Sequence, residues 1–282
     1  MNILSIQSWV AYGHVGNASA VFPLQRMGFE VWAVNTVQFS NHTGYGKWRG
    51  QVFTGENVRD LIDGIAERGA LARCDGVLSG YMGDAGIGEA ILDAVARVRA
   101  ERPGALYCCD PVIGDVGRGV FVRPGIPEFM RDKAVPAADI VTPNQFELEC
   151  LSGIEVRDAA TLRRAIAAVH AMGPKIVMVT SVQGEGTPEG HVDVVVSDGS
   201  DMMRVRTPML PVSVNGAGDA IAALFLGALL QKGTPEAALV HAASATYGLL
   251  RRTAEAGSRE IVTVAAQDEF VNPSTSFAVE RI

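Results

Sequence analysis

The sequence predicts an α/β protein of three layers, a mostly parallel central sheet flanked by helices with a small antiparallel extension. Three observations carry that expectation. Between residues 3 and 179, short apolar runs alternate strictly with longer segments of helical periodicity, the signature of βαβ units whose sheet is covered on both faces. Further on, Val192–Val196 and Met202–Thr207 flank the turn Ser197-Asp198-Gly199-Ser200, which pairs neighbouring strands antiparallel. Finally, no repeat, low-complexity tract or Pro/Ser-rich linker divides the 282 residues, so one domain spanning 1–282 is expected.

Taken in order, the strands are expected at Ile3–Ile6, Val31–Thr36, Gly76–Ser79, Ala105–Cys109, Asp139–Val141 and Ile176–Val179. The first lacks the charged start and long apolar core of a signal peptide. Helical patterns fall between them at about Ala18–Met27, Asn57–Arg68, Gly88–Glu101, Pro127–Lys133, Gln145–Leu151 and Ala159–Ala171. After the hairpin come two closing helices, Ala217–Leu230 and Pro235–Arg251, with Lys232-Gly233-Thr234-Pro235 as stop and restart signals.

Composition bounds the function. Hydrophobic residues make up 48% and charged residues 20%, enough to bury a large core. A net charge of −7 and a pI near 5.3 argue against nucleic-acid or anionic-membrane partners. An anionic substrate would need local positive groups or a metal. The cysteines, Cys74, Cys108, Cys109 and Cys150, match no zinc spacing and read as buried free thiols, with Cys108 and Cys109 on opposite faces of one strand. With no apolar run long enough to span a bilayer, a cytoplasmic protein is expected.

In open parallel sheets, ligands bind beyond the carboxyl ends of the strands. The strand ends here are rich in chemistry. Ser8, Tyr12 and His14 follow the first strand, and Gln38 to Trp48 follow the second with a mixture of rings and polar groups that suits a flat heteroaromatic ligand. Tyr81 follows the third between two glycines. Asp110 ends the fourth, well placed to meet a cation, and Asp115 to Gly119 have the composition of a lid. Thr142-Pro143-Asn144 with Glu147 ends the fifth, both a capping box and a carboxylate suited to Mg²⁺. The segment Asn215-Gly216-Ala217-Gly218-Asp219 opens a helix. Its glycines admit a close ligand, the helix start favours a phosphate oxygen, and Asp219 stands ready to take a hydroxyl proton. Gly-x-Gly-Asp before a helix is also a common plain loop.

Collected, these residues resemble the pyridoxal kinases of the ribokinase-like superfamily, in their bacterial pyridoxamine/pyridoxal kinase branch. The most specific part is Asn35-Thr36-Val37-Gln38-Phe39-Ser40-Asn41-His42-Thr43 with Tyr45-Gly46-Lys47-Trp48. Ile6-Gln7-Ser8, Tyr12 to Asn17, Leu78 to Tyr81, Cys109 to Val112 and Val264 to Asp268 also match, so the likeness runs nearly end to end. The resemblance implies a three-layer ribokinase-like fold. It implies phosphorylation of the 5′-hydroxymethyl group of pyridoxal by ATP with Mg²⁺, K⁺ being a further candidate cation, in a cytoplasmic homodimer.

By position, the resemblance puts Ser8, His42, Thr43, Gly44 and Tyr81 on the vitamin, and makes Gly216, Ala217 and Gly218 the anion hole with Asp219 the base. It puts Asp110, Thr142, Asn144, Glu147 and Thr180 around the nucleotide, with Asp110 and Glu147 toward the metal. Thr207, Pro208, Met209 and Leu210 would run along the adenosine. The chain departs from the family pattern at Thr180, where a lysine is usual, at Thr207, where arginine is usual, and at Gly44, where a larger polar residue is common. Two alternatives stay open: a kinase of another small alcohol, of the hydroxymethylpyrimidine type, and a non-catalytic vitamer carrier or sensor.

Overall fold

The computed structural model describes residues 1–282. Its ten-stranded sheet is built from β1 (Asn2–Val10), β2 (Glu30–Phe39), β3 (Gly50–Val52), β4 (Cys74–Ser79), β5 (Leu106–Cys109), β8 (Ile140–Val141), β9 (Ile176–Val182), β10 (His191–Ser197), β11 (Met202–Pro208) and β12 (Val279–Arg281). A separate two-stranded hairpin is made of β6 (Gly114–Asp115) and β7 (Gly119–Val120). The sheet order is β12-β11-β10-β9-β8-β5-β4-β1-β2-β3. From β2 through β1, β4, β5 and β8 to β9 every pairing is parallel, and both ends of the sheet are antiparallel. Because β1 pairs with β2 on one side and β4 on the other, the strand order reverses there, which opens a crevice at the carboxyl ends.

Alternation along the strands divides the apolar residues between two cores. Leu4, Ile6, Val77 and Cys109 face one side with α2 (Gly55–Ala66), α3 (Ala85–Glu101), α6 (Gln145–Ser152) and α7 (Ala159–His170). Ile3, Leu78 and Cys108 face the other with α1 (Asn17–Arg26), α8 (Ala217–Lys232) and α9 (Pro235–Glu255). Every residue of α8 from Ala220 to Leu229 is buried, since the helix is wedged between α1, α9 and the sheet. An apolar helix with no polar face suits such a position. Cys108 and Cys109 therefore do lie on opposite faces, whereas Cys150, expected inside, is exposed on the far side of α6.

The observed elements overlay the expected ones with informative differences. The strand expected over Ile3–Ile6 continues to Val10, so Ser8 lies within β1, at a register slip against β2 between Gln7 and Trp9. Similarly, β9 continues through Thr180 and Ser181 to Val182, with Ser181 the only non-glycine residue at positive φ (56°). A matching slip against β10 marks a bulge there, which re-aims side chains without ending the strand. The helix expected over Pro127–Lys133 is instead α4 (Ile126–Phe129), a π turn over Met130–Ala134 and α5 (Val135–Ala137). Pro136 lacks an N–H and its ring would press on a preceding carbonyl, and the widened turn relieves this. Strands β3, β6, β7 and β12 are too short to leave a period in the sequence.

Candidate active site

At the carboxyl ends of the parallel strands lies a cavity of about 630 Å³. It collects Ser8, His42, Thr43, Gly44, Tyr81, Asp110, Thr142, Asn144, Glu147, Thr180 and all of Gly216 to Asp219. Seven segments spread between positions 8 and 219 thus share one space. Thr207, Pro208, Met209 and Leu210 do not enter it: Thr207 is buried in β11 opposite Val192, and Met209 is 49% exposed beyond the strand.

One end of the cavity is the start of α8. Gly216 caps the helix at φ 88°, and a Cβ there would stand 1.8 Å from the carbonyl oxygen of His14, so only glycine fits. The Ser19 hydroxyl donates to the Gly216 carbonyl at 2.7 Å and fixes the turn. Gly218 faces open space, where a side chain would otherwise intrude. The first amides of a helix have no intrahelical acceptor, so those of Ala217 and Gly218 are left to bind an anion. Asp219 sits half-buried behind them. Burial pushes its carboxyl up to about 6, while the amides of Gly16 and of Asp219 itself pull the other way.

The vitamin-side expectations gather around the His42 to Gly44 turn, close to Asn215 at the start of α8. His42 caps the short turn Thr43–Tyr45, and its Nδ1 accepts the Gly44 N–H at 3.1 Å. A backbone N–H can only donate, so Nδ1 is unprotonated and Nε2 carries the hydrogen. Burial, and next the charge of Arg118, hold His42 below its ordinary range and keep the ring neutral. Tyr81 is placed by its own carbonyl, which accepts the Thr36 hydroxyl at 2.7 Å. Val10, Val15, Val37, Phe39 and Phe121 supply the apolar walls. Beneath Ser8, a buried network joins Ser5, Gln7, Asn17 and Asn35, with Asn17 donating to Asn35 at 2.9 Å and accepting from Ser5 at 2.7 Å.

The turn bearing His42 is held from outside. The Tyr45 hydroxyl donates to Glu260 Oε1 at 2.5 Å, and Glu260 Oε2 accepts the His14 N–H at 3.3 Å. Arg259 lies over the Tyr45 ring, 5.3 Å from its centroid. Glu260 falls between helices and in no motif, and nothing in the sequence marks it.

The nucleotide-side expectations centre on two acids. Asp110 is 7% exposed; its Oδ1 accepts the Thr142 hydroxyl at 3.0 Å, and its Oδ2 has no protein donor. Glu147 Oε1 accepts the amides of Ile113 (2.9 Å) and Gly114 (3.4 Å), and Oε2 accepts that of Asn144 (2.9 Å). The capping box is therefore real: Asn144 Oδ1 accepts the Glu147 N–H, while its Nδ2 donates to Gly114. Burial, then the neighbouring Glu147 and Asp219 carboxylates, push Asp110 well above the usual range, and burial also raises Glu147. Buried acids held this close call for a cation. The residues fit Mg²⁺ on that ground: Asp110 offers a free oxygen, and Glu147, with most of its lone pairs taken, would reach the ion through water. No three acidic, histidine or cysteine side chains converge. A cation here would complete its shell with phosphate oxygens and water.

Residues 72–264 match the family model described as phosphomethylpyrimidine kinase. Over 98% of both chains, the protein is 64% identical to the pyridoxal kinase PdxY of Granulibacter bethesdensis. It is 57% identical to that of Rubrobacter xylanophilus over 100% of this chain and 98% of the relative. Among solved structures it superposes on the pyridoxal kinase of Leishmania donovani in complex with ADP and pyridoxamine, with a TM-score of 0.93 and 30% identity over 100% and 99% of the two chains.

Proposed function

The chain belongs to the pyridoxal kinase family and phosphorylates vitamin B6 vitamers with ATP; we propose that its acceptor is the 5′-hydroxymethyl group of pyridoxal and that Asp219 is the base. The observation that carries this reading is the single cavity in which Asp219, the amides at the start of α8, and the His42 to Gly44 turn all meet. A pyridine ring packs between Val10, Val37 and Phe39, with His42 Nε2–H, Ser8 and Tyr81 at its polar edge. The triphosphate lies from Thr142 and Thr180 toward Gly216, and its terminal oxygens take the free amides of Ala217 and Gly218.

Asp219 accepts the hydroxyl proton as the 5′-oxygen attacks the γ-phosphorus in line. Mg²⁺, when bound beside Asp110 and Glu147, neutralises phosphate charge. Asp110, whose Oδ1 accepts the Thr142 hydroxyl, would hold the ion with its free oxygen, and Glu147, which holds the Ile113–Gly114 turn, would reach it through water. Adenosine contacts along Thr207 to Leu210, a role for K⁺, assembly as a homodimer and a cytoplasmic setting complete the proposal. The half-exposed Met209 and Pro208 offer an apolar edge for a base, and no helix is long and apolar enough to cross a membrane.

Asp219→Asn is the direct test, because it keeps shape and removes the charge. Turnover of pyridoxal should fall by about 10²–10⁴-fold, the usual worth of a general base, with calorimetric affinity for pyridoxal nearly unchanged. Wild-type turnover in this variant would remove Asp219 from the role. Faster turnover of hydroxymethylpyrimidine than of pyridoxal by the wild type would displace the substrate assignment.

A further inference from the structure

The cavity contains four carboxylates, Asp110, Asp115, Glu147 and Asp219, yet Arg118 is the only lysine or arginine that lines it. A triphosphate brings further negative charge into this space, so the one fixed cation matters more than its exposed position suggests. Arg118 sits at the tip of the β6–β7 hairpin, between Gly117 (φ 81°) and Gly119 (φ 68°), a backbone that glycine adopts freely. Its Nη1 donates to Asn215 Oδ1 at 3.2 Å, across the mouth of the cavity.

That guanidinium makes no other hydrogen bond and pairs with none of the acids around it, leaving most of its donors free. Its location is narrow. Asn215 immediately precedes the Gly216 cap, and its side-chain nitrogen lies 3.9 Å from where a Cβ on Gly44 would stand. Arg118 also contributes to keeping His42 neutral, so its charge is felt at the vitamin turn. It therefore lies between the turn that holds the acceptor and the amides that hold the donor.

We propose that Arg118 is a catalytic residue that leaves Asn215 to bind the γ-phosphoryl group during transfer, carried there by closure of the 114–120 hairpin. This rests on the kinase reading above. In the step, the 5′-oxygen bonds to the γ-phosphorus, the bond from that phosphorus to the β-bridging oxygen breaks with its electron pair leaving on ADP, and the hydroxyl proton passes to Asp219. Arg118 exchanges no proton; its planar donors face two equatorial oxygens as charge spreads over them.

The test compares wild type, Arg118→Ala and Arg118→Lys with pyridoxal and Mg·ATP. Phosphorylation of pyridoxal by the wild type is the control for the underlying kinase reading, and its failure would count against that reading alone. With turnover established, Arg118→Ala should lower kcat by at least about 30-fold and change KM for pyridoxal by less than about threefold. Binding of a non-hydrolysable ATP analogue should weaken while binding of ADP, which lacks the γ-phosphate, does not. Millimolar guanidinium should restore part of the lost rate to Arg118→Ala, and Arg118→Lys should fall between the two. A smaller fall in kcat, or equal weakening toward ADP and the analogue, would overturn the proposal.

Discussion

As the proposed base, Asp219 joins two properties that normally conflict: the role requires it ionised, yet it lies where burial favours the neutral acid. Its carboxyl is pushed up to about 6, so below that pH the base is increasingly protonated and idle, and above it the charge is present. The rate constant kcat/KM for pyridoxal at saturating Mg·ATP should therefore rise with pH along a single-proton limb centred near 6 and level off above it. A profile flat from pH 5 to 8 would contradict this. Asp219 and Gly216 could be singled out in the sequence only together with the other strand ends, because Gly-x-Gly-Asp before a helix is by itself also a plain loop. Arg118 was legible only as part of a lid. Its meaning depends on every other group lining the cavity, which no local pattern contains. Cys150 misled for the opposite reason: its apolar neighbours Leu148 and Leu151 are buried, but the turn of α6 puts position 150 outside.

At the scale of elements, a capped turn, a bulge and a helix start aim the side chains of the site. The Thr43–Tyr45 turn has no buried residue of its own, so its position depends on Tyr45 reaching Glu260 and on the Phe39–Trp48 ring contact at 4.1 Å. Tyr45→Phe removes one hydrogen bond to the Glu260 carboxylate and leaves the phosphate side untouched. It should raise KM for pyridoxal by about 3- to 10-fold, with KM for ATP and the melting temperature nearly constant. An equal rise in both KM values would place the turn elsewhere in the cycle. The longest elements were readable from periodicity, and the hairpin from its turn sequence. The bulges at Ser8 and Ser181 were not, because a one-residue slip in register leaves composition unchanged while redirecting the side chains that matter.

Across the whole molecule, the sheet separates two cores, and α8, whose start carries Asp219, is the centre of one of them. Phe225 lies fully buried two turns beyond Asp219. Phe225→Ala should cost about 3–5 kcal/mol in a urea melt, and residual activity per folded molecule should drop as the helix start loosens. If stability falls with specific activity intact, the helix start is positioned by the Ser19 and His14 contacts alone. Strand–helix alternation made the three-layer architecture legible, and strand-end chemistry made most of the cavity legible too. The segment 207–210 was expected along the adenosine on resemblance rather than on local physics, and it is not among the residues that line the cavity.

Glu260, which ties Tyr45 to the His14 amide, follows the last long helix. During synthesis the phosphate cradle of α8 and both acids of the nucleotide side leave the ribosome before the residue that tethers the vitamin turn. On the proposed roles, the turn bearing His42 gains its outer tether only once the segment after α9 has folded back onto the first loop.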